Sequence, residues 1–364
     1  MKRIAICTGG GDCPGLNATI RSVVKSARGT HGWQVFGVIE SINGLLSMPP
    51  RCRELGLQDV TSILTLGGTI ISTSNTGSPF SDAERTQQSI KVLKDNFRNL
   101  GLDALIVVGG EGTQSIAALL GEAGVPIIGI PKTIDRDLPG SDETIGFHTA
   151  VDVAADAAVR LQTTAESHDR IMILEVMGRH TGYIALHAGL AGAANVILIP
   201  EIPFSYDAVI KKIMERKALG RCFSLIVVAE GAYEQGHSPA YQVSVEGREL
   251  LGGISSSLST RLYEATGIQT RVTVLGHTQR GGSPSVYDRN IATAFGCRAV
   301  ELIKAKRYGR MVVMQQGEIR DIELSSAAEG KFAYVDINNN PYLKSAEAIG
   351  TCLGRNLNFS TEDN

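Results

Sequence analysis

Short, uninterrupted apolar runs alternate along this chain with longer stretches in which apolar residues return every three or four positions. The short runs fall at Ile4–Thr8, Val35–Ile39, Ala104–Val108, Ile127–Ile130, Ile171–Val176, Val196–Ile199, Leu225–Ala229 and Arg271–Leu275. Their continuity predicts strands covered on both faces. Between them, Leu16–Ala27, Thr113–Ala123, His148–Gln162, Tyr206–Lys217, Ile254–Thr266 and Val286–Lys304 carry helical spacing. Such alternation predicts an α/β fold of mainly parallel sheets flanked by helices. The length, 364 residues, suits two domains or one large unit. No low-complexity linker divides it, so Gly140–Gly146 is the candidate boundary. The polar tail, Asn-rich at Asn338–Asn340, reads as a peripheral extension.

Composition narrows the function classes. With 43% hydrophobic and 20% charged residues the chain can fill a core, which excludes disorder and fibres. The balance of 35 basic against 37 acidic residues argues against a nucleic-acid surface, so any anion site must be local. Six cysteines are scattered without a CxxC pair, which predicts reduced thiols, with neither a zinc site nor a disulfide framework. No apolar segment approaches the length of about 20 residues that a membrane helix needs, and the cytoplasm is the expected compartment.

Glycine is unusually frequent, at 41 residues. Several of these glycines follow predicted strands, in Thr8-Gly9-Gly10-Gly11-Asp12, in Gly109-Gly110-Glu111-Gly112-Thr113 and at Gly276-His277. Glycines at the carboxyl ends of parallel strands let backbone N–H groups approach an anion, and a following helix adds its dipole. A dinucleotide fingerprint starts with Gly9 and Gly11 but breaks at Pro14, and the acid Glu40 lies too far on; no Walker loop occurs. Pro131-Lys132-Thr133-Ile134-Asp135-Arg136-Asp137 places two carboxylates at i, i+2, which in an extended loop point the same way. One can take a proton while the other orients its neighbour or a metal; a solvated turn is the plainer alternative. Arg170, Arg179, Arg271, His277 and Arg280 put cations beside strand-end glycines, the composition of a phosphate clamp, and Glu230 can accept from a sugar hydroxyl.

TGGGDCPGLN, VVGGEGT, PKTIDRDL, EVMGRHTG and VLGHTQRGGSPSVYDR, in this order, resemble the phosphofructokinase family, in its branch whose members use ATP or pyrophosphate. The likeness runs from the N-terminus to about residue 310. It implies Mg²⁺-dependent transfer of the γ-phosphoryl of ATP to the 1-hydroxyl of fructose 6-phosphate, in glycolysis. It also implies two domains, 1–145 with 279–310 for the phosphoryl donor and 146–278 with 311–350 for the sugar phosphate, leaving 351–364 as an extension. By matching position, Asp135 is the general base, with Asp137, Thr133 and Arg179 as its catalytic companions. Gly11, Asn75, Gly110, Glu111, Gly112, Thr113 and Lys132 line the donor site, and Glu111 holds the metal. Met177, Gly178, Arg179 and Glu230 line the sugar site, joined by Thr133 and Asp135. His277 and Arg280 hold the 6-phosphate, and Arg170 and Arg271 resemble residues reaching in from a neighbouring subunit, which implies a homodimer or homotetramer.

The sequence departs from the family pattern at Glu111 and Arg136, in place of an aspartate and an asparagine, and at Asn75, in place of an arginine that touches donor phosphates. Ile42 stands where many ATP users have tyrosine. Gly112 carries no side chain where pyrophosphate users typically have aspartate, which favours ATP; Lys132 is compatible with either donor. The alternatives are a pyrophosphate-dependent enzyme, a catalytically weak nucleotide sensor on the same fold and, third, a dehydrogenase.

Overall fold

The computed structural model describes residues 1–74, 80, 82–239, 241–243, 249–327 and 332–355, and divides the chain into two units. The first comprises Met1–Thr149 and Arg280–Ala333, the second Ala150–Gln279 and Tyr334–Asn364. The first opens with β1 (Arg3–Thr8), α1 (Leu16–Val24), β2 (Gln34–Val38), α2 (Asn43–Leu46), β3 (Cys52–Glu54) and α3 (Ala83–Asn99). It continues through β4 (Ala104–Gly109), α4 (Glu111–Glu122), β5 (Ile127–Thr133) and β6 (Ile145–Gly146). Helix α5 (Phe147–His168) leads the chain into the second unit, with β7 (Ile171–Val176), α6 (Tyr183–Ala191), β8 (Val196–Leu198), α7 (Tyr206–Ala218) and β9 (Ser224–Ala229). There follow β10 (Tyr241–Val243), β11 (Glu249–Leu251), α8 (Ile254–Thr266) and β12 (Thr270–Val274). The chain then rejoins the first unit as α9 (Val286–Lys304), β13 (Arg310–Gln315), β14 (Glu318–Glu323) and α10 (Leu324–Ala327), and returns to the second with α11 (Pro341–Ala348).

In the first sheet the strand order is β14-β13-β5-β4-β1-β2-β3, with β6 beside β5. Only the outermost pairs, β13·β14 and β2·β3, are antiparallel. The central strands are apolar and buried because helices cover both faces. Since β2 flanks β1 on one side and β4 on the other, the turns after β1 and β4 leave adjacent strands at a topological switch point, where open α/β sheets bind ligands. The second sheet, β12-β7-β9-β8, is parallel throughout and packs its own core around Ile171, Ile173, Phe204, Ile226 and Leu258.

The eight expected strands and six expected helices are present, with ends shifted by a few residues; α5 runs furthest beyond expectation. The expected assignment of 311–350 to the second domain does not hold for 311–333. Met311 of β13 pairs with Gly129 of β5 and β14 pairs with β13, so the chain stays in the first unit through Ala333. Nor is the start of the tail peripheral, because Cys352 bridges Val196 of β8. The boundary falls at Thr149–Ala150, inside α5, rather than in Gly140–Gly146. Among the described residues no helix is long and apolar enough to cross a membrane.

Candidate functional site

In the first unit, Thr8 of β1 stands opposite Val108 of β4, and Gly9 N donates to Val108 O (2.9 Å). The two glycine-rich turns therefore leave the sheet side by side. Gly110 is the N-cap of α4 and brings no side chain to the first N–H groups of the helix, an arrangement that suits an anion.

Two cations converge on the turn after β1. Lys132, near the end of β5 and only 3% exposed, donates from Nζ to Gly11 O (2.5 Å). Arg280 Nη1 donates to Asp12 O (3.2 Å) and would lie 2.8 Å from a Cβ at Gly11, an approach that a side chain there would obstruct. Burial holds the Lys132 ammonium below the usual lysine range; Arg280 acts in the same direction, while Cys13, Asp12 and Asp137 oppose it. A buried cation beside another gains from a nearby phosphate.

β5 continues into Thr133, whose Oγ1 accepts from Asp135 N (3.1 Å). The segment is not extended as the sequence reading assumes. It bends at Ile134–Asp135, and Arg136 adopts the left-handed region (φ 54°), so strand alternation does not set where Asp135 and Asp137 point. Arg136 is anchored within this loop: Nε donates to Asp142 O (2.6 Å) and a second nitrogen lies 3.3 Å from Glu143. The other oxygen of Glu143 meets His148 Nε2 (2.8 Å), and His148 stacks against Tyr287 with centroids 3.9 Å apart. The asparagine-to-arginine departure thus adds an anchor for the loop that carries both aspartates.

Glu111 opens α4 and accepts from Ser115 Oγ (3.1 Å) through one oxygen. Gly112 is exposed, and a Cβ built there meets nothing within 4 Å. Asn75 lies outside the described residues. Ile42 is 3% exposed in the core of the first unit, so it offers no surface to a ligand. Glu40, the acid that the dehydrogenase reading needs for a ribose, pairs with Arg51 at the surface (2.6 Å).

In the second unit, turns from three adjacent strands meet. Met177 N donates to Gln279 Oε1 (3.4 Å), Glu230 N to Val176 O (2.9 Å), and Gly231 N to Gly178 O (3.1 Å). Met177, Gly178, Arg179, Glu230 and His277 therefore share one edge of the sheet, with Arg179 and His277 exposed. Arg170 and Arg271 lie at the opposite, amino-terminal ends of β7 and β12, roughly 20 Å away along the strands. There Arg170 Nε donates to Gln269 Oε1 (3.1 Å) and Arg271 is exposed. Two buried carboxylates, Asp288 and Glu175, have no role assigned from the sequence; Glu175 caps α8 through Ser255 N and Oγ. Asp288 carries a signal, the spacing Ser285-x-x-Asp288 ahead of a helix.

Among the described residues no three His, Cys, Asp or Glu side chains gather as metal ligands. Magnesium usually takes one or two carboxylates and fills its octahedron with phosphate oxygens and water. Glu111, beside the anion turn, fits that requirement.

The sequence matches the Phosphofructokinase family over residues 3–303. It is 50% identical over 333 residues to the ATP-dependent 6-phosphofructokinase of Chloroflexus aurantiacus, covering 90% of this chain and 91% of that relative. It is 46% identical over 328 residues to the pyrophosphate–fructose 6-phosphate 1-phosphotransferase of Amycolatopsis methanolica, covering 89% and 94%. Among solved structures, the T-state phosphofructokinase of Pichia pastoris superimposes with a TM-score of 0.80 at 31% identity, covering 90% of this chain and 35% of that one. The chain thus spans about a third of that larger protein.

Proposed function

Because this chain belongs to the phosphofructokinase family, we propose that it is an ATP-dependent 6-phosphofructokinase, transferring the γ-phosphoryl of ATP to the 1-hydroxyl of fructose 6-phosphate. One observation carries the reading. At the switch point of the first sheet, Lys132 and Arg280 converge on the Gly9–Asp12 turn, and the strand bearing Lys132 runs on into Asp135.

Phosphoryl transfer asks chiefly for positioning and charge neutralisation. The N–H groups at Gly11 and Gly110–Thr113 bind donor phosphates, and Lys132 balances their charge. Glu111 holds Mg²⁺, which neutralises charge on the phosphate oxygens when bound. The Asp135 carboxylate accepts the proton of the sugar's 1-hydroxyl as that oxygen bonds to phosphorus and the bond to the ADP oxygen breaks; Thr133 and Asp137 orient it. Met177–Arg179 and Glu230 bind the sugar and His277 its 6-phosphate. Arg280, which the family pattern gives to the same phosphate, is held at Asp12 in this conformation.

The amino-terminal position of Arg170 and Arg271, remote from Met177–Arg179 in the same chain, supports an oligomer in which they serve a neighbour's site. The six cysteines, scattered without a paired framework, support a reducing, cytoplasmic setting.

Relatives of similar identity carry both donor names, so the donor rests on Gly112, whose open position leaves room for a nucleotide. Lys132 sustains a pyrophosphate-dependent enzyme as the second reading. The test is turnover of fructose 6-phosphate and Mg²⁺ with ATP, ADP or pyrophosphate. ATP is expected to work, and Asp135→Asn to lower kcat by about 10²–10⁴ with sugar binding kept. Turnover with pyrophosphate alone overturns the donor, and ATP binding without turnover indicates a sensor.

A further inference from the structure

Asp288 is fully buried, and none of the roles assigned above uses it. Its spacing from Ser285 is that of a capping box, in which the acid normally turns back to the N-cap amide. Here the box is open. Ser285 Oγ accepts from Asp288 N (3.1 Å), but Ser285 N donates to Thr149 Oγ1 (2.9 Å) instead. The carboxylate is left for the opening of α5: Oδ1 accepts from Gly146 N (2.8 Å), and Oδ2 from Thr149 N (2.7 Å) and Thr149 Oγ1 (2.5 Å), with Ser285 Oγ at 3.3 Å. A buried carboxylate is costly unless its lone pairs are matched, and the first N–H groups of a helix lack partners of their own. The two requirements meet.

What this carboxylate holds is β6. Ile145 and Gly146 pair with Lys132 and Thr133 of β5, and Thr144 Oγ1 donates to Thr133 O (2.7 Å). On the other side, Cys13 Sγ donates to Ile145 O (3.4 Å) and would lie 2.5 Å from a Cβ at Gly146, where φ is 100°. β6 is therefore fixed between the donor turn and the strand that leads to Asp135. We propose that Asp288 is a positioning residue for phosphoryl transfer, holding β6 so that the Lys132–Asp135 segment keeps its place relative to the turn at Cys13. This rests on the reading of Asp135 as the base.

All four groups around the carboxylate donate, so an amide can satisfy only one side. Turned so that its nitrogen meets the single donor Gly146, Asp288→Asn keeps the bonds to Thr149 and loses the one to β6. The test compares full-length wild type, Asp288→Asn and Thr149→Val by steady-state kinetics with MgATP and fructose 6-phosphate and by native-state hydrogen exchange. Asp288→Asn is expected to lower kcat on the order of ten- to a hundredfold, the scale of a small misplacement, with both KM values near wild type. It is also expected to speed exchange at Lys132–Asp137 and Ile145–Thr149 while β1 and β4 stay protected. Thr149→Val, which keeps the amide donor, should fall between the two, with Thr149→Ser restoring activity; this series decides if Asp288→Asn does not fold. Wild-type kcat with unchanged exchange in those segments overturns the proposal, as does loss of protection across the whole chain in the Thr149 variants. A wild type inactive on fructose 6-phosphate instead sinks the functional reading, and local exchange then decides the positioning role alone.

Discussion

Gly112 and Arg136 show how far single residues can be read. At Gly112 the expectation of open space agrees with the structure, where a Cβ would meet nothing within 4 Å. Gly112→Asp is therefore expected to raise the KM for ATP on the order of tenfold, as one charged hydrogen-bonding group is set against the nucleotide phosphates. An acid in the first turn of α4 also complements the helix dipole, so thermal stability should hold or rise slightly. An unchanged KM for ATP would retire the steric and electrostatic argument for the donor. Arg136 was legible only as a departure. Its anchoring to Asp142 and Glu143 depends on the left-handed turn between the two aspartates, and nothing local in PKTIDRD announces that conformation for an arginine.

At the scale of elements, buried strands were legible because helices on both faces leave them continuously apolar. The remainder depended on pairing partners far along the chain. The β13–β14 hairpin turns at Gln316–Gly317 with positive φ at both residues, and β14 carries exposed charges at Glu318, Arg320 and Glu323 as an edge strand does. α6, YIALHAGLA, is apolar on nearly every side and so presents no stripe for periodicity to find. The edge hairpin is secured by Asp321, whose oxygens meet Arg298 (2.8 Å), Arg307 (2.7 Å) and Arg310 (2.8 Å). Burial alone pushes this carboxyl up, but the three guanidiniums outweigh it and hold it below the usual 3.8. A depressed carboxyl stabilises the fold above its unfolded value and loses that contribution as pH falls through its folded value. Asp321→Asn should therefore cost about 2 kcal/mol at pH 7, with the difference closing below 3.8. Urea unfolding at both pH values measures it, and a pH-independent difference would mean that Asp321 acts through packing rather than charge.

For the whole molecule, the candidate residues are divided between units that each bury a separate core. Binding the substrates singly should give separable signatures in hydrogen exchange. A non-hydrolysable MgATP analogue is expected to slow exchange at Gly9–Gly15 and Gly110–Ala117, and fructose 6-phosphate at Met177–Thr181 and Glu230–Ala232. Protection of the first set by the sugar alone would argue against the assigned donor site. The division also bears on how the protein is made. The first sheet needs β13 beside β5, yet the entire second sheet is synthesised between them. At the ribosome, β5 keeps most of one edge unpaired while roughly 180 more residues emerge, on the order of 10 to 35 s. The strand that carries Lys132 and leads to Asp135 thus needs shielding from other strands in the nascent chain, and a stall before residue 310 would leave it exposed.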